Sequence, residues 1–282
     1  MSDTRSVLIT GCSSGIGHCV AHGLKNRGFR VFASARKPED VARLKDEGLE
    51  AVQLDVSDDA SIAAALEQVL AATGGRLYGL FNNGAYGLPG AVEDLSRAAL
   101  RAQLETNLLG WHELTRRVIP VMRAQGEGRI IQNSSILGFT GLPFRGAYNC
   151  SKFALEGLTD TLRLELAGSG IQVSLVEPGP ITSKFRENAR RAFETWIDAE
   201  HSVHGDKYQA MRRRLEKVGP AQPFTLPPEA VLAKVVHALE SRRARPRYYV
   251  TFPTYLLGYL KRVLSSRAFD WLLLKVSGDG RH

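Results

Sequence analysis

Short apolar runs alternate with longer helix-patterned stretches through the first two-thirds of this chain. Six runs have the length and composition of buried strands, at residues 7–10, 31–34, 51–54, 79–82, 129–133 and 173–176. Apolar residues at helical spacing mark the stretches between them, among which are 16–27, 58–72, 100–123 and 148–166. Strands joined by helices of this length pair in parallel and are covered on both faces. The pattern therefore predicts an α/β fold with a doubly wound parallel sheet.

The composition fits one soluble globular domain. The 282 residues can bury a large core, 44% of them are hydrophobic and 23% charged, and no repeat or low-complexity linker divides them. Cys12, Cys19 and Cys150 have no paired spacing, which indicates neither a disulfide framework nor a zinc site. We therefore expect no metal and a reducing compartment. A strand begins within a few residues of the N-terminus and leaves no room for a signal peptide, so we expect a cytoplasmic protein.

Positive charge is concentrated at the end of the chain. The formal net charge is +8, and residues 240–282 contribute nine Lys or Arg and three acids. A nucleic-acid-binding protein spreads its basic residues over a groove or a recognition helix. The distribution therefore argues against a nucleic-acid partner and indicates a property of the C-terminal segment alone.

The pattern changes after Pro178, Gly179 and Pro180. Residues 183–218 are polar and helix-patterned, with aromatic side chains among the charges, and a pair of prolines follows them at the start of the next helix. An insertion of this size beside a ligand crevice is typical of a substrate lid. A surface helical hairpin with no role in binding is the alternative.

A glycine loop follows the first strand directly. Gly11, Gly15 and Gly17 permit a tight turn, close approach of the backbone to a phosphate, and close packing of helix on strand. The helix that begins here offers free N–H groups and the positive end of its dipole to a pyrophosphate. We therefore expect a dinucleotide to bind this loop, which also contains Ser13, Ser14 and Ile16.

The end of the second strand distinguishes between two dinucleotides. NAD sites place an acid there for the ribose hydroxyl, whereas an arginine accommodates the 2′-phosphate of NADP. This chain has Arg36 at that position and no acid before Glu39, and the Ser13 hydroxyl can donate to the same phosphate. We therefore expect NADP(H), with a solvated surface arginine as the alternative interpretation of Arg36.

Polar residues also end the third and fourth strands. Asp55 and Val56 can border an adenine through the carboxylate and the next backbone N–H, although an aspartate here can equally cap a helix. Asn82 ends the fourth strand, where its side chain can line the crevice and brace neighbouring strands. Parallel strands bring these residues to the same edge of the sheet as the glycine loop.

Tyr148 and Lys152 lie four residues apart in a helix-patterned stretch, which places both side chains on one helix face. Free tyrosine titrates near pH 10, and a neighbouring ammonium together with an oxidised nicotinamide would lower that pKa. Such a tyrosine can give a proton to a carbonyl or take one from an alcohol. By itself, this spacing is common on helix surfaces.

Two further polar residues strengthen the pair. Ser135 ends the fifth strand, and a short loop can bring its hydroxyl beside the phenol to orient a substrate oxygen. Strand alternation turns only one of Ser134 and Ser135 toward the site. Asn107 lies in a long apolar helix, where a buried amide needs a partner. It can bind a water that reaches Lys152 and passes protons to solvent, or it can simply bend the helix.

With these motifs in order, residues 6–180 resemble the short-chain dehydrogenase/reductase family, and a weaker likeness continues to residue 250. The resemblance rests on the glycine loop, Asp55-Val56, the asparagines at 82 and 83, Asn107, Ser135, Tyr148 with Lys152, and Pro178-Gly179. It implies a catalytic tetrad of Asn107, Ser135, Tyr148 and Lys152, with Lys152 also binding the nicotinamide ribose. It implies a Rossmann-type sheet of about seven strands and nicotinamide contacts from Pro178, Gly179, Ile181 and Thr182.

Other details place the chain within that family. The family commonly reads Asn-Asn-Ala-Gly where this chain has Gly84 and then Ala85, and we expect a cofactor contact at Gly84. The Cys-Ser-Ser glycine loop and the Ser-Ala-Arg end of the second strand resemble the branch that handles retinoids, hydroxysteroids and long aliphatic aldehydes. Members are often dimers or tetramers, so the resemblance implies a homo-oligomer.

The C-terminal segment, residues 251–282, has an amphipathic helical pattern. Lys and Arg side chains interrupt its apolar positions well before the roughly 18 residues that a membrane span needs. One interpretation is a helix packed on the enzyme body or on a neighbouring subunit. The other is a helix lying on anionic lipid, which would place the protein peripherally on a membrane.

The sequence therefore predicts an NADP(H)-dependent enzyme that transfers a hydride between the nicotinamide and a carbonyl or alcohol of a hydrophobic substrate. A non-catalytic NADPH-binding redox sensor or scaffold is the alternative. A protein that only binds the cofactor has no need of Tyr148 and Ser135 together, which favours the enzyme.

Overall fold

Seven strands form a single parallel sheet in the computed structural model, which describes residues 4–216, 219 and 223–277. They are β1 (Ser6–Ile9), β2 (Arg30–Ala35), β3 (Glu50–Gln53), β4 (Gly79–Asn82), β5 (Gly128–Asn133), β6 (Ile171–Glu177) and β7 (Arg247–Tyr249). Every pair of neighbouring strands is parallel. The order β3-β2-β1-β4-β5-β6-β7 confirms the predicted doubly wound, Rossmann-type sheet.

Eleven α-helices accompany the strands within the described residues. Six lie between β1 and β6: α1 (Gly15–Asn26), α2 (Pro38–Asp46), α3 (Asp59–Ala72), α4 (Arg97–Leu104), α5 (Gly110–Gln125) and α6 (Gly146–Glu165). The others follow β6: α7 (Phe185–Trp196), α8 (Gly205–Glu216), α9 (Glu229–Glu240), α10 (Phe252–Val263) and α11 (Ser266–Ser277).

The alternation of side chains along each strand builds two apolar layers. Val7 and Ile9 of β1 pack on one side with α1, α2 and α9, whereas Leu8 packs on the other with α3, α5 and α6. Because both faces are covered, the strands read as continuous apolar runs rather than as alternating ones. This explains why the sequence located them within one or two residues.

The reversal of strand order beside β1 positions the functional site. The chain runs outward from β1 through β2 to β3 and then returns to β4 on the other side of β1. In such sheets a crevice opens at the carboxyl ends of the two strands where the order reverses. The backbones there approach closely, since a Cβ on Gly11, whose φ is +71°, would overlap the backbone of Gly84.

The predicted helix at residues 100–123 is confirmed, and it contains a π-helical turn at Glu105–Leu109 between its two α-helical parts. The backbone is crowded at this point, as a Cβ on Gly110 would overlap the carbonyl of Val56. The Asn107 side chain also bonds to the Tyr86 backbone inside the widened turn. A helical pattern of apolar residues continues through such a turn, so periodicity alone does not reveal it.

The segment predicted as a lid forms two helices, α7 and α8, with a small apolar cluster of their own. Phe193, Tyr208 and Met211 pack there against Leu88, which follows β4. The Tyr208 hydroxyl accepts from the Ala91 backbone N–H at 2.9 Å, which ties α8 to the same loop. Lys217 and Val218, the last two residues of the predicted lid, lie outside the described residues.

The C-terminal segment is two helices rather than one, because extended backbone at Leu264 separates α10 from α11. Leu257, Phe269 and Leu273 pack against the loop after β5, so one face of this pair covers the enzyme body. Trp271 is among the apolar side chains that remain exposed, and contact of the exposed face with lipid stays a prediction. Residues 278–282 lie outside the described part. Within that part, no helix is both long and apolar enough to cross a membrane.

Candidate active site

A large cavity opens at the carboxyl edge of the sheet. Its volume is about 2340 Å³, and its walls are the loops that follow β1 to β6 together with α7, α8 and α10. Pockets for one small ligand usually measure about 300–1,000 Å³. This cavity therefore has room for a dinucleotide and a second, sizeable ligand.

Tyr148 and Lys152 project from the first turns of α6 into this cavity. Tyr148 is 8% exposed and Lys152 only 1% exposed, so the pair is not a surface feature. The Lys152 ammonium lies 5.8 Å from the centre of the Tyr148 ring. The structure therefore brings the two side chains together on one buried helix face, as the spacing predicts.

The structure distinguishes Ser135 from Ser134. The Ser135 hydroxyl accepts from the Leu137 backbone N–H at 3.1 Å, and Ser135 lines the cavity together with Tyr148, whose pKa it lowers. Ser134 turns the other way, toward Gly138, and its buried hydroxyl has no partner among the described residues. Ser135 is therefore the serine placed to share a substrate oxygen with Tyr148.

Three neighbours surround the Lys152 ammonium. It donates to the Asn133 carbonyl at 2.8 Å and lies 4.1 Å from the centre of the Trp111 ring. Trp111 is itself fixed, because its indole N–H donates to the Gly84 carbonyl at 2.9 Å. Burial lowers the pKa of Lys152 to about 7, and the charge of Glu156 opposes part of that fall.

The Tyr148 phenol shifts in the opposite direction to the one expected from its lysine neighbour. Burial raises the pKa of Tyr148 to about 12, and the hydrogen bond with Ser135 offsets only part of the rise. Burial favours the uncharged form of each group. It therefore makes the Tyr148 phenol a weaker acid and the Lys152 amine a weaker base. Near neutral pH, Tyr148 is therefore protonated and Lys152 is poised to exchange a proton.

Asn107 has a structural place in the site. Its side-chain N–H groups donate to the Tyr86 carbonyl at 2.8 Å and to the Ser151 hydroxyl at 3.3 Å, and its carbonyl oxygen accepts from the Tyr86 N–H at 3.2 Å. The side chain is fully buried and does not line the cavity. It therefore holds the π-turn to the loop after β4, and its part in a proton relay to Lys152 stays a prediction.

Most residues predicted to bind the cofactor line one end of the cavity. These are Gly11, Ser13, Ser14, Gly15, Ile16, Arg36, Asp55, Val56, Gly84, Pro178, Gly179, Ile181 and Thr182, together with Tyr148 and Lys152. Gly17 does not line it. A Cβ there would overlap the Gly11 carbonyl, so Gly17 allows the helix–strand packing expected of a third glycine.

Asn82 does not line the cavity either, and its assignment as a cofactor contact stays a prediction. Its side chain is fully buried and donates to the Thr115 hydroxyl at 2.9 Å and to the Gln132 amide oxygen at 3.0 Å. Successive residues of a strand face opposite sides, so Asn82 points into the helix-covered layer and Asn83 reaches the crevice. Asn82 therefore braces β4 against β5 and α5.

The glycine loop has the shape that a pyrophosphate requires. Gly11 and Gly15 have φ values of +71° and +60°, which side-chain-bearing residues rarely adopt. A Cβ on Gly15 would also come within 2.9 Å of Ser183. The helix α1 begins at Gly15 and has no acid in its first turn, so its free N–H groups face the cavity without a competing negative charge. The loop therefore fits the phosphates of a dinucleotide.

Arg36 lies at the rim of this end of the cavity. Its side chain is exposed, and its guanidinium has no ion-pair partner among the described residues. Its backbone is held in place, since the Gln53 side chain donates to the Arg36 carbonyl at 3.1 Å. Arg36 is therefore a fixed position with a free positive charge, beside Ser13 and Lys37.

The other end of the cavity is apolar. The Phe185 ring of α7 lies edge-on to the Tyr148 ring, with 5.4 Å between their centres. Further apolar lining comes from the loops after β4 and β5, from both lid helices and from α10: Leu88, Leu142, Phe144, Trp196, Met211, Phe252 and Leu256. Residues 183–216 therefore form part of the binding cavity, which supports the lid over the surface hairpin.

Comparison with known proteins agrees with this geometry. Residues 5–193 match the sequence profile of the short chain dehydrogenase family. The chain belongs to the short-chain dehydrogenases. It is 44% identical to the uncharacterized oxidoreductase YbbO of Escherichia coli K12, with 95% of this chain and 94% of that protein covered.

Two animal relatives of this short-chain dehydrogenase have named activities. It is 35% identical to human 17-beta-hydroxysteroid dehydrogenase type 1, covering 87% of this chain and 77% of that one. It is 33% identical to mouse retinol dehydrogenase 16, covering 96% and 89%. A short-chain dehydrogenase from Streptomyces avermitilis superposes with a TM-score of 0.75 at 27% identity over the whole of both chains. The expected retinol and hydroxysteroid dehydrogenase-like branch is therefore confirmed.

The sequence analysis missed two residues that control Lys152. Trp111 is four residues after Asn107, and Glu156 is four residues after Lys152. Each therefore shares a helix face, or nearly so, with a residue that the motifs had already marked. That spacing was the available signal, but only the fold shows that the Trp111 ring lies against the Lys152 ammonium and that the Glu156 charge acts on its pKa.

Beyond Lys152, this short-chain dehydrogenase has a partly buried cluster of charged groups. The Arg247 guanidinium contacts Glu177 at 2.5 Å, Asp160 at 2.6 Å, and Glu156. Glu177 is fully buried, and one of its carboxyl oxygens has no partner among the described residues. Burial, together with the neighbouring charge of Glu156, raises the pKa of Glu177 to about 8.

This shift predicts a pH dependence of stability. The pKa of Glu177 is higher in the folded protein than its ordinary value of 4.5, so its stabilising effect is complete below pH 4.5 and is lost as pH rises through about 8. Glu177→Gln keeps the shape of the protonated acid and cannot ionise. The free energy of unfolding of Glu177→Gln minus that of the wild type should therefore increase between pH 4.5 and 8, by at least about 1 kcal/mol.

Urea denaturation at both pH values measures this difference. Glu165→Gln is the matched control, because Glu165 is exposed on the same helix as Glu156 and its replacement should change little at either pH. A Glu177→Gln difference that stays constant across the range would show that Glu177 is already ionised in the folded protein.

Proposed function

We propose that this short-chain dehydrogenase uses NADP(H) to interconvert a carbonyl and an alcohol on a bulky hydrophobic substrate. The observation that carries the proposal is the buried Tyr148 phenol, which lines the cavity together with Ser135 and Lys152 between the phosphate-binding loop and the apolar lining. A substrate oxygen placed there meets a proton donor and a second hydroxyl at once.

The roles of the side chains follow from their contacts. The nicotinamide cofactor supplies or accepts the hydride. Tyr148 gives its proton to the carbonyl oxygen in the reductive direction, and Ser135 orients that oxygen by a hydrogen bond. Lys152, whose pKa is about 7, can return a proton to the phenolate at physiological pH. Phe185 covers the Tyr148 ring and limits the access of water to it.

Arg36 supports the choice of NADP(H) over NAD(H). A guanidinium without a partner at this position can pair with the 2′-phosphate, and a phosphate oxygen forms strong hydrogen bonds with arginine. No carboxylate occupies the position where the ribose hydroxyl of NAD would be bound. The basic side chain of Lys37 lines the same rim and adds to the attraction.

The apolar end of the cavity supports a hydrophobic substrate. A substrate that covers this aromatic and aliphatic lining removes apolar surface from water. Each Å² removed makes the free energy of binding more favourable by about 25 cal/mol. A short polar aldehyde would leave most of that lining wet. The relatives named for hydroxysteroid and retinol substrates favour the same size class.

Turnover tests this proposal directly. Purified protein should oxidise NADPH in the presence of retinal, ketosteroids or long-chain aldehydes, and much more slowly with propanal. Tyr148→Phe should reduce turnover by at least about a hundredfold, because general acid catalysis typically contributes about 10²–10⁴-fold. The same variant should bind NADPH as the wild type does, as measured by quenching of protein fluorescence.

Two outcomes would contradict it. Full turnover by Tyr148→Phe would remove the phenol from the mechanism. Tight NADPH binding with no turnover across the carbonyl panel would instead support the redox sensor, the non-catalytic alternative.

Cofactor preference tests Arg36 separately. Arg36→Asp should raise the KM for NADPH by about ten- to a hundredfold, the equivalent of one lost charge-assisted hydrogen bond, and should improve the use of NADH. Arg97→Asp, an exposed arginine at the start of α4 that does not line the cavity, is the control and should leave both values unchanged. An unaltered NADPH/NADH ratio in Arg36→Asp would show that Arg36 is only a solvated side chain.

A further inference from the structure

Two histidines of α1 face one carboxylate of the neighbouring helix. The Nε2 atoms of His18 and His22 lie 2.6 Å and 2.9 Å from the same oxygen of Glu47, the residue that ends α2. The histidines are four residues apart, so they project from one helix face. One ligand atom from each of the three residues lies within 4.8 Å of the other two.

We propose that His18, His22 and Glu47 bind a divalent transition-metal ion of the Zn²⁺ class. Two imidazole nitrogens and one carboxylate oxygen are a set that Zn²⁺ accepts, with water as the fourth ligand. Zn–N and Zn–O bonds of about 2.0–2.2 Å in a tetrahedron place the ligand atoms about 3.3 Å apart. The side chains are between 29% and 34% exposed, and the two histidine–carboxylate distances would have to lengthen by about 0.7 Å and 0.4 Å to reach that spacing.

Arg43 orients the carboxylate for such an ion. Its guanidinium donates to the Oε1 atom of Glu47 at 2.8 Å, whereas both histidines face the Oε2 atom. One oxygen is therefore held by a hydrogen bond and the other is directed at the two imidazoles. Carboxylates that bind metals are commonly fixed in this way by a group behind them. Asp40 in turn accepts from Arg43 at 3.0 Å.

Two ion pairs, from His18 and His22 to Glu47, are the alternative to a metal site, and they explain the cluster less well. Glu47 has one negative charge, and Arg43 already pairs with it. The two imidazole rings are 4.6 Å apart, so two positive rings would repel each other at this distance. A metal ion placed between the two rings and the carboxylate would take the place of this repulsion, because imidazole nitrogens bind a metal in their neutral form.

The site would join two helices that both begin at the cofactor end of the cavity. The helix α1 starts in the glycine loop, and α2 starts directly after Arg36 and Lys37. Arg43 also donates to the Ser13 carbonyl at 2.7 Å, which connects the cluster to the phosphate-binding loop. An ion bound here would therefore stabilise the folded protein by linkage. The expectation of no metal rested on the cysteines, and these histidines lie outside that argument.

Zn²⁺ titration of the full-length protein, first freed of metal with a chelator, tests the proposal. Competition with a chromophoric zinc chelator should show one Zn²⁺ per chain, and saturating Zn²⁺ should raise the unfolding temperature. His22→Asn and Glu47→Gln should each weaken Zn²⁺ binding by at least about tenfold. His112→Asn and Cys150→Ser, which replace an exposed histidine and an exposed cysteine elsewhere, should bind as the wild type does.

Circular dichroism of each variant shows whether it folds, and His22→Asn remains informative if Glu47→Gln does not, because His22 does not line the cofactor cavity. Zn²⁺ binding that is absent in the wild type, or unchanged in folded His22→Asn, would overturn the proposal. Loss of binding in Cys150→Ser would place the ion elsewhere and would overturn it as well. Neither measurement uses NADPH turnover, so the metal site and the catalytic proposal are tested independently.

Discussion

The burial of the Lys152 ammonium is the constraint on which the rest of the active site depends. A charged group transferred from water to a protein interior loses several kcal/mol of hydration unless other groups replace the water. Here the replacement is partial: the Asn133 carbonyl accepts one hydrogen bond, the face of Trp111 is near, and the Glu156 charge is further away. The Lys152 amine is therefore half protonated near pH 7, whereas a solvated lysine is half protonated only near pH 10.

The residues around the Lys152 ammonium come from parts of the chain that are distant in sequence. Asn133 comes from the end of β5, Trp111 from α5 and Glu156 from the same helix as Lys152. Trp111, which contacts Lys152, is in the first turn of α5, directly after the π-turn, and Asn107 holds that π-turn to Tyr86. The asparagine is thus connected to the lysine through the helix that carries Trp111. A family motif with four polar residues has its effect through packing as much as through direct contact.

The sequence predicted the fold well because each strand is a buried apolar run and each helix has its own period. It also predicted most of the cavity lining at the carboxyl edge, since glycines and polar residues at strand ends have few other reasons to occur there. The side-chain direction of Asn82 and the π-turn inside the helix at 100–123 were not foreseen for one physical reason, because each depends on the direction of a single side chain or turn that periodicity does not encode. The opposite shift of the Tyr148 pKa could not be foreseen either, since it depends on how completely Phe185 and the cavity wall exclude water.

A direct measurement of the Lys152 pKa tests this account most sharply. Protein labelled with ¹⁵N and ¹³C in lysine, titrated from pH 5 to pH 11, gives the pKa of each ammonium from its chemical shift, and the signal lost in Lys152→Met identifies the residue. The account predicts a value of about 7 for Lys152. A value near the ordinary 10.5 would show that water or another charge reaches the ammonium, and it would contradict the claim that burial sets the proton chemistry of this site.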